Sequence, residues 1–300
     1  MTTAAEPLPV DDGRPAPSQV VELQCMEIWG GHRATDATVS VAGLDAWVLA
    51  SPYQNNETGG DIYYLSTCGS GRVSRMILAD VAGHGDSVDG VARDLRELMR
   101  KNIGKADQTQ FARALNTEFN ALTEEGSFAT AVLATYFEPT EQFIVCNAGH
   151  PLPLWYRAED DNWQAVRRES TGASSEPANL PFGVIDEAPY EQFVIEPKPD
   201  DLIVLYSDAL IEAKNGEGDQ LGQSGLLEIV RGLDPRRPAR FVHELRDALR
   251  DYTDKPDLDD DATIIVLHRN TARSSSPNLR NAITTLGKML GLGNVYIEPK

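Results

Sequence analysis

Apolar residues follow two rhythms along this chain. Val88, Val91, Leu95, Leu98 and Met99 recur at spacings of three and four, which predicts a helix over residues 87–103. Phe111, Leu115, Phe119 and Leu122 mark a second helix, and Val242, Leu245, Leu249 and Tyr252 a late one. Elsewhere the apolar stretches are short. Residues 75–81 hold one that ends at Asp80, and residues 152–156 form another strand. Residues 128–137 and 142–146 read as paired strands joined by a tight turn at Glu138-Pro139-Thr140. Residues 202–207 are almost wholly apolar, the pattern of a strand buried on both faces, and residues 263–268 form a final buried strand. Strands come in hairpins more often than in alternation with helices. That order predicts an α+β fold of stacked antiparallel sheets covered by helices, rather than a doubly wound parallel sheet.

The flanks differ from this middle. Residues 1–20 carry Pro7, Pro9, Pro15 and Pro17 among small polar residues and read as a flexible arm. A single domain is expected over 21–269. Residues 270–277 read as a linker, and beyond it Leu279, Ile283, Leu286 and Leu290 predict a short amphipathic helix within 270–300. That helix either docks on the body or meets a partner.

With 46 acidic and 27 basic residues among 300, the net charge is −19. Such a balance argues against nucleic acid, whose phosphates need clustered Lys and Arg. No apolar run approaches the roughly 18 residues of a membrane span, and the first 20 residues lack the basic start and apolar stretch expected of a secretory signal. Cys25, Cys68 and Cys146 are odd in number and scattered, which fits a reducing cytoplasm and no zinc knuckle.

Acidity matters most where it meets the apolar runs. Asp61 follows Gly59-Gly60; Asp80 ends one strand; Asp208 ends another; Asp259-Asp260-Asp261 precedes the last. Any one of these alone also reads as an ordinary turn or capping residue. Four such carboxylates brought together would repel unless cations lay between them. Oxygen ligands favour hard divalent ions, and no Cys or His cluster has zinc spacing, so Mg²⁺ or Mn²⁺ is expected over Zn²⁺. A contiguous calcium loop is absent, which weakens a structural calcium site. There is no nucleophile elbow, Walker loop or dinucleotide fingerprint.

Six short motifs occur in order: Gly59-Gly60-Asp61, Asp80-Val81-Ala82-Gly83-His84-Gly85, Asn147-Ala148-Gly149-His150-Pro151, Leu180-Pro181-Phe182-Gly183-Val184, Ser207-Asp208-Ala209 and Asp260-Asp261-Ala262-Thr263. Over roughly residues 40–269 the chain resembles the PP2C-like, metal-dependent protein phosphatases of the stage II sporulation protein E and sigma-factor-regulator group. The resemblance implies a four-layer α-β-β-α sandwich of two antiparallel sheets. It implies two divalent cations, Mn²⁺ or Mg²⁺, in the mouth between the sheets. Asp80 matches the acid that bridges both ions, with the Val81 carbonyl as a further ligand. Asp208 and Asp260 match acids that complete one ion's shell, and Asp61 the first-motif acid. A water shared by two such ions loses its proton near neutral pH and attacks phosphorus in line, with no phosphoenzyme. The implied substrate is a phosphoserine or phosphothreonine on a regulatory protein, such as an anti-sigma-factor antagonist. Control would come from a regulatory partner, a homodimer contact, the arm or the tail.

The chain departs from the family in three places. Ala209 replaces the usual glycine after Asp208. Ile62-Tyr63-Tyr64 lacks the acid that usually follows Asp61 closely. Ala82 stands where eukaryotic relatives carry a proton-donating histidine. His84 is the candidate donor to the leaving oxygen, with turn bracing as its plainer role. His150, between Gly149 and Pro151, is expected to brace a turn. The departures keep one alternative in view, a pseudophosphatase that binds a phosphoprotein without turnover.

Overall fold

The computed structural model describes residues 19–23, 27–68, 71–81, 86–102, 107–122, 127–167, 178–273 and 296–297. In chain order the first strands are β1 (Gln19–Glu22), β2 (Ile28–Arg33), β3 (Thr35–Val41), β4 (Leu44–Ser51), β5 (Thr58–Cys68) and β6 (Val73–Val81). Helices α1 (Asp86–Asn102) and α2 (Gln108–Leu122) follow, then β7 (Ala129–Phe137), β8 (Gln142–Ala148), β9 (Leu154–Arg157), β10 (Asn162–Ala165), β11 (Gln192–Ile195) and β12 (Leu202–Tyr206). The chain continues through α3 (Ala209–Glu212), α4 (Gly222–Arg231) and α5 (Pro238–Thr253) to β13 (Ala262–Arg269) and β14 (Tyr296–Ile297).

The strands form two seven-stranded sheets. One runs β1-β3-β4-β13-β12-β9-β10 and the other β11-β8-β7-β6-β5-β2-β14. Neighbours are antiparallel except β1 beside β3 and β14 beside β2. Side chains in a strand alternate between faces, and here both faces are covered, so central strands read as unbroken apolar runs. In β12, Ile203 and Leu205 point between the sheets, while Leu202, Val204 and Tyr206 point toward α4 and α5. In β6, Met76 and Leu78 point between the sheets, while Ile77 and Ala79 lie against Leu95, Leu98, Met99 and Phe111 of α1 and α2. The result is the expected helix–sheet–sheet–helix order with three apolar layers. Trp163 of β10 stacks on Phe241 of α5 with ring centroids 5.4 Å apart, fixing the outer helix to its sheet. Pro238 opens α5 at a position where its missing N–H is no loss, and Asp254 ends it in the left-handed conformation at φ 53°.

The helices and hairpins expected from periodicity lie within a few residues of their predicted ends. Strand β9 starts at Leu154 rather than 152, because Pro151 and Pro153 cannot donate to a ladder. The expected arm at 1–20 lies outside the described residues except for Gln19 and Val20, which already belong to β1. Of the expected linker and amphipathic helix at 270–300, residues 274–295 and 298–300 lie outside the described residues. Tyr296–Ile297, inside the span read as helix and tail, pairs as a short strand on the edge of β2.

Candidate metal centre

The register of the sheets explains why one end of the sandwich is polar. On the inner face of the second sheet, cross-strand rows run Leu65–Met76–Ala134, then Tyr63–Leu78–Val132, then Asp61–Asp80–Thr130. The first two rows are core; the third is a line of oxygen-bearing side chains at the mouth. The facing sheet repeats the change. Val48, Ile265 and Leu205 give way to Ala50, Thr263 and Ser207. Ser207 Oγ accepts from the Thr263 N–H at 2.9 Å, and its own N–H donates to the Thr263 carbonyl at 3.1 Å.

Asp61 is only 5% exposed, and Asp80 lies directly opposite it on the neighbouring strand. Asp208 follows β12 and leads into α3. Asp260 stands exposed in the loop before β13, where one of its oxygens accepts the Asp261 N–H at 2.8 Å. Asp261 reaches back across 201 residues of sequence to accept the Gly60 N–H at 2.6 Å, and its other oxygen accepts the Tyr53 N–H at 2.6 Å. That clasp holds the start of β5 against the loop that enters β13. Asp259 points away into an ion pair with Lys255 at 2.6 Å.

These carboxylates perturb one another. Burial, then the charge of Asp80, pushes Asp61 well above the usual carboxylate range, although the Ser207 and Thr263 hydroxyls oppose the shift. Burial, then the charges of Asp208, Asp260 and Asp261, raises Asp80 to about 7. Burial and the neighbouring Glu212 and Asp260 raise Asp208. The other end of the sandwich behaves oppositely. There Arg269 meets Glu141 at 2.9 Å, and hydrogen bonds from His268, Asn270 and Ser40 outweigh the burial of Asp45 and lower its pKa. Charge is compensated by protein groups at one end and left uncompensated at the other.

Among the described residues, no three carboxylate, imidazole or thiol groups close around a single point as a finished cage. The acids converge on a shared mouth while standing apart, as like charges do. Two observations show that this mouth suits a hard cation. One oxygen of Asp61, Oδ2, is buried without a hydrogen-bond partner. A β-carbon placed on Gly60 would lie 3.2 Å from the Val81 carbonyl oxygen and 3.6 Å from Asp80 Oδ1, so both oxygens border the space that the glycine leaves clear. An all-oxygen set of carboxylates and a carbonyl is the donor chemistry of Mg²⁺ or Mn²⁺.

Of the residues singled out in the sequence, Asp61, Asp80, Val81, Asp208 and Asp260 therefore meet at one mouth. His84 lies outside the described residues. His150 shares a 2.8 Å hydrogen bond with Thr130, beside Asp80. Its own turn is braced by Asn147, whose side chain accepts the His150 N–H at 2.8 Å and donates to the His150 carbonyl at 2.9 Å. Burial holds its imidazole down to about 3, so it is neutral. Asp61 is not a glycine-turn residue; Gly59 and Gly60 lie inside β5. Ala209 begins α3 and has no positive φ, so a glycine's left-handed freedom is not used there. The position usually held by an acid after Asp61 falls on Tyr63 and Tyr64, both core residues. Ser207, Thr263 and Asp261 stand in the sequence motifs without an assigned role, and Thr130 stands in none; the structure gives Ser207, Thr130 and Asp261 contacts at the mouth. An alternation that switches from apolar to hydroxyl at the same end of several strands is the signal that would have found the three hydroxyl residues.

Two antiparallel-built sheets with an acid-lined mouth between them, covered by helices, form a PP2C-like sandwich. The chain belongs to the family described as Stage II sporulation protein E, whose model matches residues 70–270. Phosphoserine phosphatase RsbU of Bacillus subtilis (strain 168) is 28% identical over 161 residues, 54% of this chain and 45% of that protein, so the match spans about half the relative's length. Among solved structures, the RsbU and RsbW domains of a Mycobacterium tuberculosis protein match with a TM-score of 0.62 at 22% identity, covering 84% of this chain and 70% of that one. The PP2C domain of SpoIIE from Bacillus subtilis gives 0.64 at 18% identity over 77% of this chain and 64% of that one. RsbX in complex with magnesium gives 0.54 at 14% identity over 77% and 98%.

Proposed function

We propose that this chain is a metal-dependent serine/threonine protein phosphatase that removes phosphate from a phosphoserine or phosphothreonine on a regulatory protein in the cytoplasm. The observation that carries the reading is the cluster of mutually destabilised carboxylates, with its unpartnered Asp61 oxygen, at the mouth between the sheets. Asp80, the Val81 carbonyl, Asp208 and Asp260 would hold two Mn²⁺ or Mg²⁺ ions, with Asp61 behind them. Such ions, when bound, neutralise phosphoryl oxygens and acidify water for attack on phosphorus. The chain supplies the rest. Asp261 fixes the backbone at Gly60 and Tyr53, so the ligand-bearing strand ends cannot drift. Ser207 ties the facing strands together at this end, its hydroxyl donating to the Asp261 carbonyl at 3.3 Å and accepting from the Thr263 N–H at 2.9 Å. The apolar rows beneath keep water out of the floor, which strengthens every charge interaction above it. His84 is assigned the proton for the leaving oxygen. The name of the RsbU relative favours phosphoserine as substrate, and a phosphorylated anti-sigma-factor antagonist is the proposed partner class.

Phosphate release from a phosphoserine peptide tests this. Turnover in Mn²⁺ should vanish with chelator and fall by about 100-fold or more in Asp80→Asn. Retained phosphopeptide binding with no turnover at any metal concentration would establish the pseudophosphatase instead. Ala209 was one motive for that alternative, and its helical backbone supports the enzyme reading.

A further inference from the structure

A cavity of about 200 Å³ opens on the outer side of the first sheet, against the same loop that carries Asp260. Its floor is aliphatic: the buried core residues Leu49, Leu210, Leu249 and Ile264 line it, and Leu258 forms part of its wall. The cavity has a structural origin. Helix α5 ends at Asp254, and residues 254–261 swing back to enter β13, leaving a gap between helix and sheet edge. Tyr53 closes the other side, its N–H held by Asp261. The wall of the cavity and the wall of the acid mouth are thus built from the same two loops.

Apart from Asp260, which the cavity shares with the acid mouth, the charges around its rim are paired. Arg246 binds Asp247 at 2.8 Å, Arg250 binds Asp257 at 3.3 Å, and Lys255 with Asp259 ties the loop between them at 2.6 Å. With those basic groups already paired and Asp260 on the mouth side, an anionic ligand finds little to bind here, and the floor offers aliphatic surface. A volume of roughly 150 Å³ in an apolar cavity accepts benzene, so this one takes a single large aliphatic side chain.

We propose that this cavity is a specificity pocket for the phosphoprotein substrate, receiving one leucine-sized apolar side chain that flanks the phosphorylated residue. The inference rests on the phosphatase reading above. Its occupant is argued from position: Asp260 lines this cavity and its charge also acts on Asp80 and Asp208, so a side chain next to the phosphorylated residue is the part of the substrate nearest to it.

The test uses the full chain with Mn²⁺ and two substrate types. Hydrolysis of p-nitrophenyl phosphate reports the mouth alone. Phosphoserine peptides in which a leucine or an alanine is placed at each flanking position in turn report the pocket. The wild type should prefer leucine at one position by about tenfold or more in kcat/KM, the scale of selection for apolar groups. In Ala34→Trp, which fills the pocket from its exposed rim, and in Leu258→Ser, which makes its wall polar, the leucine-to-alanine ratio should fall to about one. The ratio is taken within each protein, so a general loss of activity does not imitate the effect. No leucine preference at any position in the wild type, or a preference surviving both substitutions, would overturn the proposal. If p-nitrophenyl phosphate is not hydrolysed either, the phosphatase reading fails separately. The pocket is then read by fluorescence polarisation of the same labelled peptides, with the same ratios expected for Kd.

Discussion

Removing a buried acid from a protein usually destabilises it, but here the reverse is expected. In chelator, Asp80 faces Asp61 across the strand pair and feels Asp208, Asp260 and Asp261. Its pKa of about 7 exceeds the unfolded value of 3.8, so the folded state binds the proton more tightly. Stability from this group is therefore complete below pH 4 and is lost as pH rises through 7. The full displacement corresponds to at most about 4 kcal/mol at 1.36 kcal/mol per unit. Partial exposure and relaxation of the neighbouring acids reduce that to about 1–3 kcal/mol. Asp80→Asn keeps the shape and removes the charge. At pH 8 in chelator the variant should melt about 2–12 °C above the wild type, given roughly 2–4 °C per kcal/mol for a chain of this size. Near pH 4 the difference should close. Mn²⁺ at 100 times its Kd should add about 2.7 kcal/mol to the wild type and far less to the variant. The assay is thermal unfolding across pH with and without metal. A variant less stable than the wild type at pH 8, or a gap that ignores pH, would refute the electrostatic account of the mouth.

Other outcomes follow from the same contacts. Gly60→Ala sets a methyl group 3.2 Å from the Val81 carbonyl oxygen and 3.6 Å from Asp80 Oδ1, so calorimetric titration should show Mn²⁺ affinity reduced while the helical circular dichroism is kept. Asp261→Ala frees the N–H groups of Gly60 and Tyr53 and should cost about 1–3 kcal/mol in urea unfolding, besides slowing turnover. His150 is neutral in the fold with a pKa of about 3 against 6.5 when unfolded, so its contribution is present above 6.5 and is lost as pH falls toward 3; NMR titration of its imidazole should show no protonation at pH 5. Leu245→Ala, in the layer between α5 and the first sheet, should cost about 2–5 kcal/mol with an unchanged urea m-value.

The helices and the doubly buried strands were legible because their periods are physical. Val242, Leu245 and Leu249 can share a face only on a helix, and residues 202–206 can all be buried only in a strand covered on both sides. The region from 28 to 68 was harder. Gly30 and Gly31 lie inside β2, and Gly59 and Gly60 inside β5, where a linear reading takes glycine as a turn. Gly30 has φ 132°, and a β-carbon there would stand 2.1 Å from the Tyr63 carbonyl oxygen, so the close approach of β2 to β5 demands it. Only the folded register reveals that need. The acids of the mouth were legible as a set through motif order, while their partners were not. Asp61 pairs with Asp80 only through strand register, and Asp261 binds Gly60 across 201 residues. In a run of three aspartates nothing local says that Asp259 faces a lysine, Asp260 the mouth and Asp261 the backbone of another strand.

Divalent ions at the end of the sandwich are what every catalytic role above depends on. An anomalous difference map from crystals grown with Mn²⁺ tests this most directly. Two peaks between the sheets, within bonding distance of Asp80, the Val81 carbonyl, Asp208 and Asp260, are the result predicted. Strong peaks elsewhere on the acidic surface, with none at Asp80, would contradict it.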